Sequence, residues 1–158
     1  MTSDKDQYPK EIATFERVTE DSEEVKKVIT IVNNEYEEKA VKVAITYMDS
    51  FNKQNGSGCD NSINYPHIRL SKQGLGIFQK PPVHTPKLFD SFVKIFGWNH
   101  SCWDYRRVIQ SNDSKIHLAI QFSRYKSNGT KIGSYPSLWA ITKQNGHWGI
   151  QIRSSFAL

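Results

Sequence analysis

The stretch 34-NEYEEKAVKVAITYMDSFNKQ-54 carries the clearest structural pattern in the chain. Its apolar side chains recur at helical spacing, and charged or polar residues fill the other positions, as in a helix that packs on one side. The apolar set is Tyr36, Ala40, Val43, Ala44, Tyr47, Met48 and Phe51. Asn34 with Glu37 three residues later is a capping-box pattern, and Gly56 and Gly58 follow the last apolar position. We therefore predict one long helix over about 34–54.

Two short extended segments and a second helix follow this long helix. Residues 63–70 and 75–78 have strand-like patterns, and the short link between them ends in a glycine, which predicts a hairpin. Thr85 lies directly before Pro86, and this pair supplies the N-cap and first-position residues that helices favour. The apolar spacing that comes next predicts a second helix over about 86–96.

The last third of the chain has the pattern of a β-meander. Its extended runs cover residues 101–111, 115–126, 132–143 and 147–156. Asn-Asp or Asn-Gly pairs separate them, and such tight turns require antiparallel strands. We therefore predict an α+β protein in which one apolar face of a curved sheet contacts the helices and the other face is polar. The predicted inward residues are Ile116, Leu118, Ile120, Phe122, Trp148, Ile150 and Ile152.

The N-terminal part is less regular. Residues 1–17 are polar without periodicity and are predicted to be a loose lead-in to a single domain over 18–158. Residues 18–33 fit two structures, because Val25, Val28 and Val32 have helical spacing while the run 28–32 is β-branched and suits a strand. Of the two, we predict a helix.

Composition narrows the classes of function. The chain has 158 residues, 37% of them hydrophobic, which is enough for one core. It contains no run of about 20 apolar residues and no apolar leader, so we expect a cytoplasmic protein without a membrane span. The net charge is +5, but the basic residues are scattered, so we do not expect nucleic-acid binding. Cys59 and Cys102 lack metal-pair spacing, and nucleotide motifs are missing, so we predict reduced thiols, no metal and no cofactor.

Three stretches, taken with the element order, resemble a known superfamily. They are 46-TYMDSFN-52, 64-NYPH-67 and 148-WGIQIRSSF-156. Over about 34–156 the chain resembles the nuclear-transport-factor-2-like superfamily, in particular its SnoaL-like and ketosteroid-isomerase-like branch. The resemblance implies a cystatin-like cone, a deep and mostly apolar pit between sheet and helices, and homodimers packed sheet to sheet. Members include isomerases, dehydratases, cyclases and non-catalytic binding domains, so the fold alone does not assign a function.

The resemblance also suggests where catalytic groups would lie. Tyr47 matches the tyrosine with which the isomerases hydrogen-bond a developing oxyanion. Their general base, an aspartate before a proline, corresponds to Tyr65, and their second oxyanion donor corresponds to Leu138. A tyrosine with an ordinary pKa near 10 is a poor base at neutral pH, so we do not expect ketosteroid-type isomerisation.

His67 is the candidate that could replace the missing base. It follows Tyr65 by two residues, so on an extended strand both side chains point the same way, and its reference pKa near 6.5 suits proton transfer. Tyr47, Tyr65 and His67 therefore form a candidate catalytic set for cofactor-free acid–base chemistry. The simpler interpretation, which we favour, is that His67 lies at the mouth of the pit and hydrogen-bonds a loop backbone.

The remaining candidates divide between the two faces of the sheet. The residues predicted to line the pit and bind ligand are Phe122, Arg124, Leu138, Trp148 and Ile152. Arg124 either pairs with an anionic ligand or forms an ion pair with an acid such as Asp104. The residues predicted to lie in the dimer interface are His117, Trp139 and Arg153. We predict a homodimer that binds a small apolar or aromatic molecule; the alternative is a non-catalytic interaction module whose pit is filled by its own side chains.

Overall fold

The computed structural model describes residues 9–17 and 25–157 of the chain. In this part, strands and helices follow in the order β1 (Lys10–Arg17), β2 (Val25–Val32), α1 (Glu35–Asn52), α2 (Gly56–Asn61), β3 (Ile63–Ser71), β4 (Gly74–Phe78), α3 (Pro86–Phe96), β5 (His100–Ser111), β6 (Lys115–Tyr125), β7 (Lys131–Gln144) and β8 (His147–Ser155). The predicted long helix, hairpin, second helix and four-stranded meander are therefore confirmed.

The main sheet is an open sheet of six strands in the order β4-β3-β8-β7-β6-β5. All neighbouring strands are antiparallel except β3 and β8, which are parallel. The buried residues of α1 pack with the inner face of the sheet, and the predicted inward residues Ile116, Leu118 and Ile120 are fully buried there. This arrangement is the α+β fold that the sequence pattern predicts, and it agrees with the cystatin-like cone that the family resemblance implies.

The N-termini of α1 and α3 are capped by the residues that the sequence indicates. The predicted end of α1 is wrong in detail, because Lys53 is its C-cap and the predicted stop residues Gly56 and Gly58 lie in α2. Asn34 Oδ1 accepts a hydrogen bond from the backbone N–H of Glu37 at 2.9 Å, and the Glu37 carboxylate accepts one from the backbone N–H of Asn33 at 2.7 Å. Thr85 caps α3 in the same way, and Gly97 ends it with a φ of 65°, a left-handed conformation that favours glycine. Capping thus fixes where each helix begins, and for α3 also where it ends.

The prediction of a helix over 18–33 is wrong for residues 25–32, which form β2. β2 pairs antiparallel with β1, so residues 10–17 form a strand where a loose lead-in was predicted. Val28, Thr30 and Val32 are buried while Ile29 and Ile31 are exposed, which is the two-residue period of a strand. Residues 1–8 and 18–24 lie outside the described residues, and the division into 1–17 and 18–158 stays a prediction.

A buried arginine connects this hairpin to the main sheet. Arg106 of β5 is 1% exposed, and its Nε donates a hydrogen bond to Thr30 Oγ1 at 2.9 Å. Its Nη2 donates to the backbone carbonyl of Val28 at 3.3 Å, and its guanidinium lies 5.0 Å from the ring of Trp103. Because a buried guanidinium needs such partners, β2 is tied to β5 rather than lying loosely on it.

Three further observations concern residues 9–17 and 25–157. No helix among them is long and apolar enough to cross a bilayer. Cys59 and Cys102 are both buried, and no disulfide joins them. Within the same ranges, no group of three or more His, Cys, Asp or Glu side chains is placed to hold a metal ion.

Candidate functional site

A pocket lies between α1 and the inner face of the sheet. It holds about 450 Å³ when its open mouth is counted. Its aromatic and apolar wall consists mainly of Tyr47, Met48, Phe51, Phe122 and Trp139. Its charged groups are Arg69, Arg124 and Arg153, and among the lining residues that the structure describes there is no aspartate or glutamate. The pocket is therefore aromatic in its walls and cationic in its charge.

Two of these lining residues come from positions predicted to face outward. Trp139 is 3% exposed and Arg153 lines the pocket, whereas Leu138 is 55% exposed and Ile152 38% exposed on the outer face. The predicted faces of these four residues are thus interchanged. Along β8 the cause is a bulge: Ile150 pairs with Ile141 and Ile152 with the adjacent Ala140, which leaves Gln151 as an extra residue. One extra residue reverses the alternation, so Arg153 points inward. On β7, Leu138 and Trp139 lie on the faces opposite to those predicted, because the predicted strand register was wrong by one residue.

Arg153 and Arg69 lie side by side on paired strands. Their Cα atoms are partners in the β3–β8 ladder, and both side chains line the pocket. Burial, followed by the charge of Arg153, lowers the pKa of Arg69. Neither arginine forms an ion pair with a carboxylate within the part of the chain that the structure describes. Two like charges are therefore held together at this side of the pocket with no opposite charge between them.

Arg124 is the third guanidinium, and aromatic rings surround it. It is 5% exposed and lies 4.6 Å from the Phe92 ring, 5.4 Å from the Phe122 ring and 4.9 Å from the Tyr135 ring. Burial lowers its pKa to about 10. The Asp104 carboxylate, the alternative partner from the sequence, accepts hydrogen bonds from Gln121 and Ser123, which alternate onto the outer face. The geometry thus places Arg124 toward the pocket and Asp104 on the other side of the sheet.

Tyr47 connects the pocket to a buried histidine–aspartate pair. Its hydroxyl lies 2.7 Å from His84 Nε2, and His84 Nδ1 lies 2.9 Å from Asp60 Oδ1. The Arg153 guanidinium also donates a hydrogen bond to the Tyr47 hydroxyl. Asp60 accepts further bonds from the backbone N–H groups of Val83 and His84. Burial raises the pKa of Tyr47, an effect that Arg153 partly offsets.

Gly56 makes room for the backbone of His84. A Cβ atom on Gly56 would lie 2.1 Å from the His84 carbonyl oxygen, a distance that no side chain allows. The close approach of α2 to the 83–85 segment therefore requires glycine at this position. α2 also carries Asp60. It therefore provides the carboxylate that hydrogen-bonds the His84 imidazole, and it contacts the backbone of His84 as well.

His67 is buried behind Arg153 rather than exposed at the mouth of the pocket. Its Nδ1 donates to the Ile150 carbonyl at 3.0 Å, and its Nε2 accepts from Arg153 Nε at 3.1 Å. A carbonyl only accepts and a guanidinium only donates, so these partners select one neutral tautomer. Burial, followed by the charge of Arg153, lowers the pKa of His67 to about 3. Both ring nitrogens are occupied, and the geometry suits a role in orienting Arg153.

Of the three predicted catalytic residues Tyr47, Tyr65 and His67, Tyr47 lines the pocket and the other two do not. Tyr65 is half-buried, its hydroxyl donates to the Asp60 carbonyl at 3.3 Å, and burial raises its pKa to about 12. The β3–β8 pairing is irregular between Ile63 and Ile68, so the alternation that predicted a shared direction fails there. The catalytic set predicted from the sequence is therefore not assembled as a unit.

Several solved structures have a fold similar to that of this chain. The chain is similar to a protein of unknown function with a cystatin-like fold from Nostoc punctiforme, with 15% identity, a TM-score of 0.62 and coverage of 76% of this chain and 89% of that one. An NTF2-like protein from Novosphingobium aromaticivorans gives 10% identity, a TM-score of 0.63 and coverage of 78% and 82%. The fold is nuclear-transport-factor-2-like. A ketosteroid isomerase-like protein from Erwinia carotovora shares this fold, with 13% identity, a TM-score of 0.57 and coverage of 78% and 96%. No family model and no curated protein matches the sequence.

Within this NTF2-like fold, the outcome for the predicted site residues is mixed. Tyr47, Phe122 and Arg124 line the pocket as predicted. Trp148 is buried beside Tyr36 outside the pocket lining, and His117 lies on the outer face with its Nδ1 2.7 Å from Gln110 Oε1. Their predicted roles in ligand binding and dimer formation stay predictions.

Three site residues were missed by the sequence analysis. Arg69 follows His67 by two residues, so the strand period that placed His67 inward could have indicated it. Asp60 lies in the short helix α2 and His84 in the segment before α3, 24 residues apart, and nothing in their local sequence links them to Tyr47. The NTF2-like fold brings them together only through the packing of α2 and the 83–85 segment on α1.

Proposed function

We propose that this NTF2-like domain binds a small organic anion, with a carboxylate or similar head group held by Arg69 and Arg153. The sequence suggested an apolar or aromatic ligand, and the aromatic walls of the pocket still suit one. The observation that carries the proposal is the pair of pocket-lining guanidinium groups that have no carboxylate partner among residues 9–17 and 25–157.

Electrostatics favours an anion over a neutral ligand. Charges removed from water are costly unless they are paired, and here the like charges of Arg69 and Arg153 also repel each other. The lowered pKa of Arg69 has burial and this repulsion as its causes. A bound anion would offset both, and a guanidinium pairs with a carboxylate through two parallel hydrogen bonds.

The size of the pocket suits a small head group. The pocket holds about 450 Å³ with its open mouth, which is within the range of small-molecule sites. A carboxylate has three non-hydrogen atoms, so it fits this space, and the rest of a ligand would extend along the aromatic wall toward the mouth. Phe51 and Phe122 line that wall and provide apolar contacts.

Isothermal titration calorimetry with butyrate and butyramide tests the proposal, because the two probes have nearly the same shape and differ in charge. We expect butyrate to bind and butyramide not to bind. Arg153→Gln should weaken butyrate binding by 10-fold or more, as expected for loss of a charge-assisted pair of about 1.5–3 kcal/mol. Arg107→Gln is the matched control, because Arg107 is exposed. Equal binding of both probes, or an equal loss in Arg107→Gln, would contradict the proposal.

We also propose that the outer face of the sheet forms a homodimer. Apolar residues on paired strands share this face, and they are exposed by 38–65%: Leu70, Leu75, Ile77, Leu138 and Ile152. Contiguous exposed apolar patches on a folded domain mark interaction surfaces. This replaces Trp139 and Arg153 as interface candidates. The alternative function, an interaction module with a filled pit, predicts the dimer without butyrate binding, so the calorimetry above separates the two functions.

A further inference from the structure

We propose that Tyr47 is a general base in this pocket, that His84, oriented by Asp60, takes up its phenolic proton, and that the substrate is a short oxo acid that loses a proton from the carbon next to its carbonyl. The inference rests on the proposed anion site, since Arg69 and Arg153 would hold the carboxylate of that acid. Anion binding alone does not require the His84–Asp60 pair that hydrogen-bonds Tyr47. The pair therefore indicates a second role for this pocket.

The hydrogen-bond partners determine where the protons lie. The Asp60 carboxylate only accepts, so Nδ1 of His84 is the donor in their 2.9 Å contact. In the neutral imidazole Nε2 is then an acceptor, so the Tyr47 hydroxyl donates its proton to His84 across 2.7 Å. The Arg153 guanidinium donates to the same phenolic oxygen. Tyr47 lines the pocket, so a second lone pair of this oxygen is the group that can accept a substrate proton.

The proposed step is balanced without any co-reactant. The substrate C–H bond breaks and an O–H bond forms on Tyr47, while the original Tyr47 O–H bond breaks and an N–H bond forms on His84 Nε2. The electron pair of the C–H bond enters a C=C bond, which gives an enolate whose oxygen lies near the guanidinium groups. Asp60 stabilises the resulting imidazolium, as the carboxylate does in nucleophile–histidine–carboxylate triads. While the enolate persists, the protons on Tyr47 and His84 exchange with solvent. The reverse step then returns a solvent-derived hydrogen to the carbon, so the net reaction is hydrogen exchange.

Tyr47, His84 and Asp60 form a proton relay, and the charges around this relay couple it to ligand binding. His84 interacts electrostatically with Asp60 of α2, Arg69 of β3 and Arg153 of β8. It also interacts electrostatically with His67 of β3. Burial, followed by the charge of Arg153, lowers the pKa of His84 to about 4. A carboxylate bound to Arg153 offsets that charge and raises the pKa of His84. The base is therefore strengthened when the anion is present, and an empty pocket keeps Tyr47 protonated.

Proton NMR in D₂O tests the inference with 2-oxobutyrate, whose C3 hydrogens lie next to the carbonyl. We expect the wild-type protein to replace them with deuterium faster than buffer does. Tyr47→Phe should reduce the exchange rate at least 100-fold, as general-base removal does, while butyrate binding persists. Tyr36→Phe is the matched control, since Tyr36 lies on the same helix but packs against Trp148 outside the pocket lining, and its exchange rate should equal that of wild type.

The pH dependence of exchange tests the roles of His84 and Asp60 separately from stability. The reaction requires neutral His84, so the rate should fall on the acid side of the pKa that His84 has in the complex. Asp60→Asn removes the charge that favours the imidazolium, so this acid limb should move to lower pH and the maximal rate should fall. A purely structural role for Asp60 would lower the rate without moving the limb, and that result would overturn the relay.

The outcomes separate this inference from the anion site. If butyrate binds in an Arg153-dependent manner but 2-oxobutyrate exchanges only at the buffer rate, the inference is wrong and the anion site stands. If Tyr47→Phe exchanges as fast as wild type, Tyr47 is not the base. If neither butyrate nor 2-oxobutyrate binds, both the anion site and the oxo-acid reaction are wrong.

Discussion

We predict that mild acid destabilises this domain through two buried histidines. His67 is 0% exposed and His84 4% exposed, and burial together with the charge of Arg153 lowers their pKa values to about 3 and about 4 from 6.5. In the unfolded chain both groups regain a pKa near 6.5. Between that value and the folded-state pKa, the unfolded chain binds more protons than the native protein. The free energy of unfolding is therefore highest above pH 6.5 and falls as the pH falls toward 4.

The magnitude follows from the size of the two shifts. Each pH unit within this window is worth about 1.4 kcal/mol for each histidine. Acidification from pH 7 to pH 4.5 crosses two units below 6.5, so His67 and His84 each remove about 2.5 kcal/mol, or about 5 kcal/mol together. That loss is a large part of the 5–15 kcal/mol by which typical domains are stable.

Urea unfolding followed by tryptophan fluorescence at pH 7 and pH 4.5 measures the loss. His67→Gln keeps a donor for the Ile150 carbonyl and an acceptor for Arg153 but cannot titrate, so it should lose about 2.5 kcal/mol less than wild type on acidification. His117→Gln, which changes a histidine on the outer face, should lose as much as wild type. Carboxylates common to all three proteins cancel in this comparison. An unchanged loss in His67→Gln would refute the conclusion that His67 is buried and neutral.

Three further predictions follow from particular contacts. Thr30→Val removes the acceptor for Arg106 Nε at nearly constant shape, so urea unfolding should show a loss of about 1–3 kcal/mol, and a smaller loss would mean that the bond to the hairpin contributes little. Gly56→Ala places a Cβ 2.1 Å from the His84 carbonyl oxygen, so it should lower the melting temperature and slow 2-oxobutyrate exchange, and an unaltered protein would contradict the close approach. Leu138→Lys combined with Ile152→Lys should convert a dimer to a monomer in sedimentation velocity, whereas an unchanged sedimentation coefficient would count against the outer-face interface.

Local patterns were sufficient for most of the secondary structure. The long helix is confirmed because its N-cap and apolar stripe are encoded within about twenty residues, and Thr85 and Gly97 define both ends of α3. The meander is confirmed because tight turns force neighbouring strands to be antiparallel. Residues 25–32 were predicted wrongly, because a short β-branched run fits both periods and only its pairing with β1 and its burial against β5 favour the strand.

Local patterns in the sequence determined α1, α3, the β3–β4 hairpin and the meander, and with them the α+β architecture and the place of Tyr47 on the apolar side of α1. Only the tertiary structure decided which charges meet there. A single extra residue at Gln151 turns Arg153 inward, and no local pattern encodes a bulge that depends on the neighbouring strand. Asp60 and His84 are 24 residues apart, and His84 is 37 residues from Tyr47; the three meet because α2 and the 83–85 segment pack on α1. The sequence determines which reactive side chains are present, but strand register and helix packing determine the distances between them and so whether they form a site.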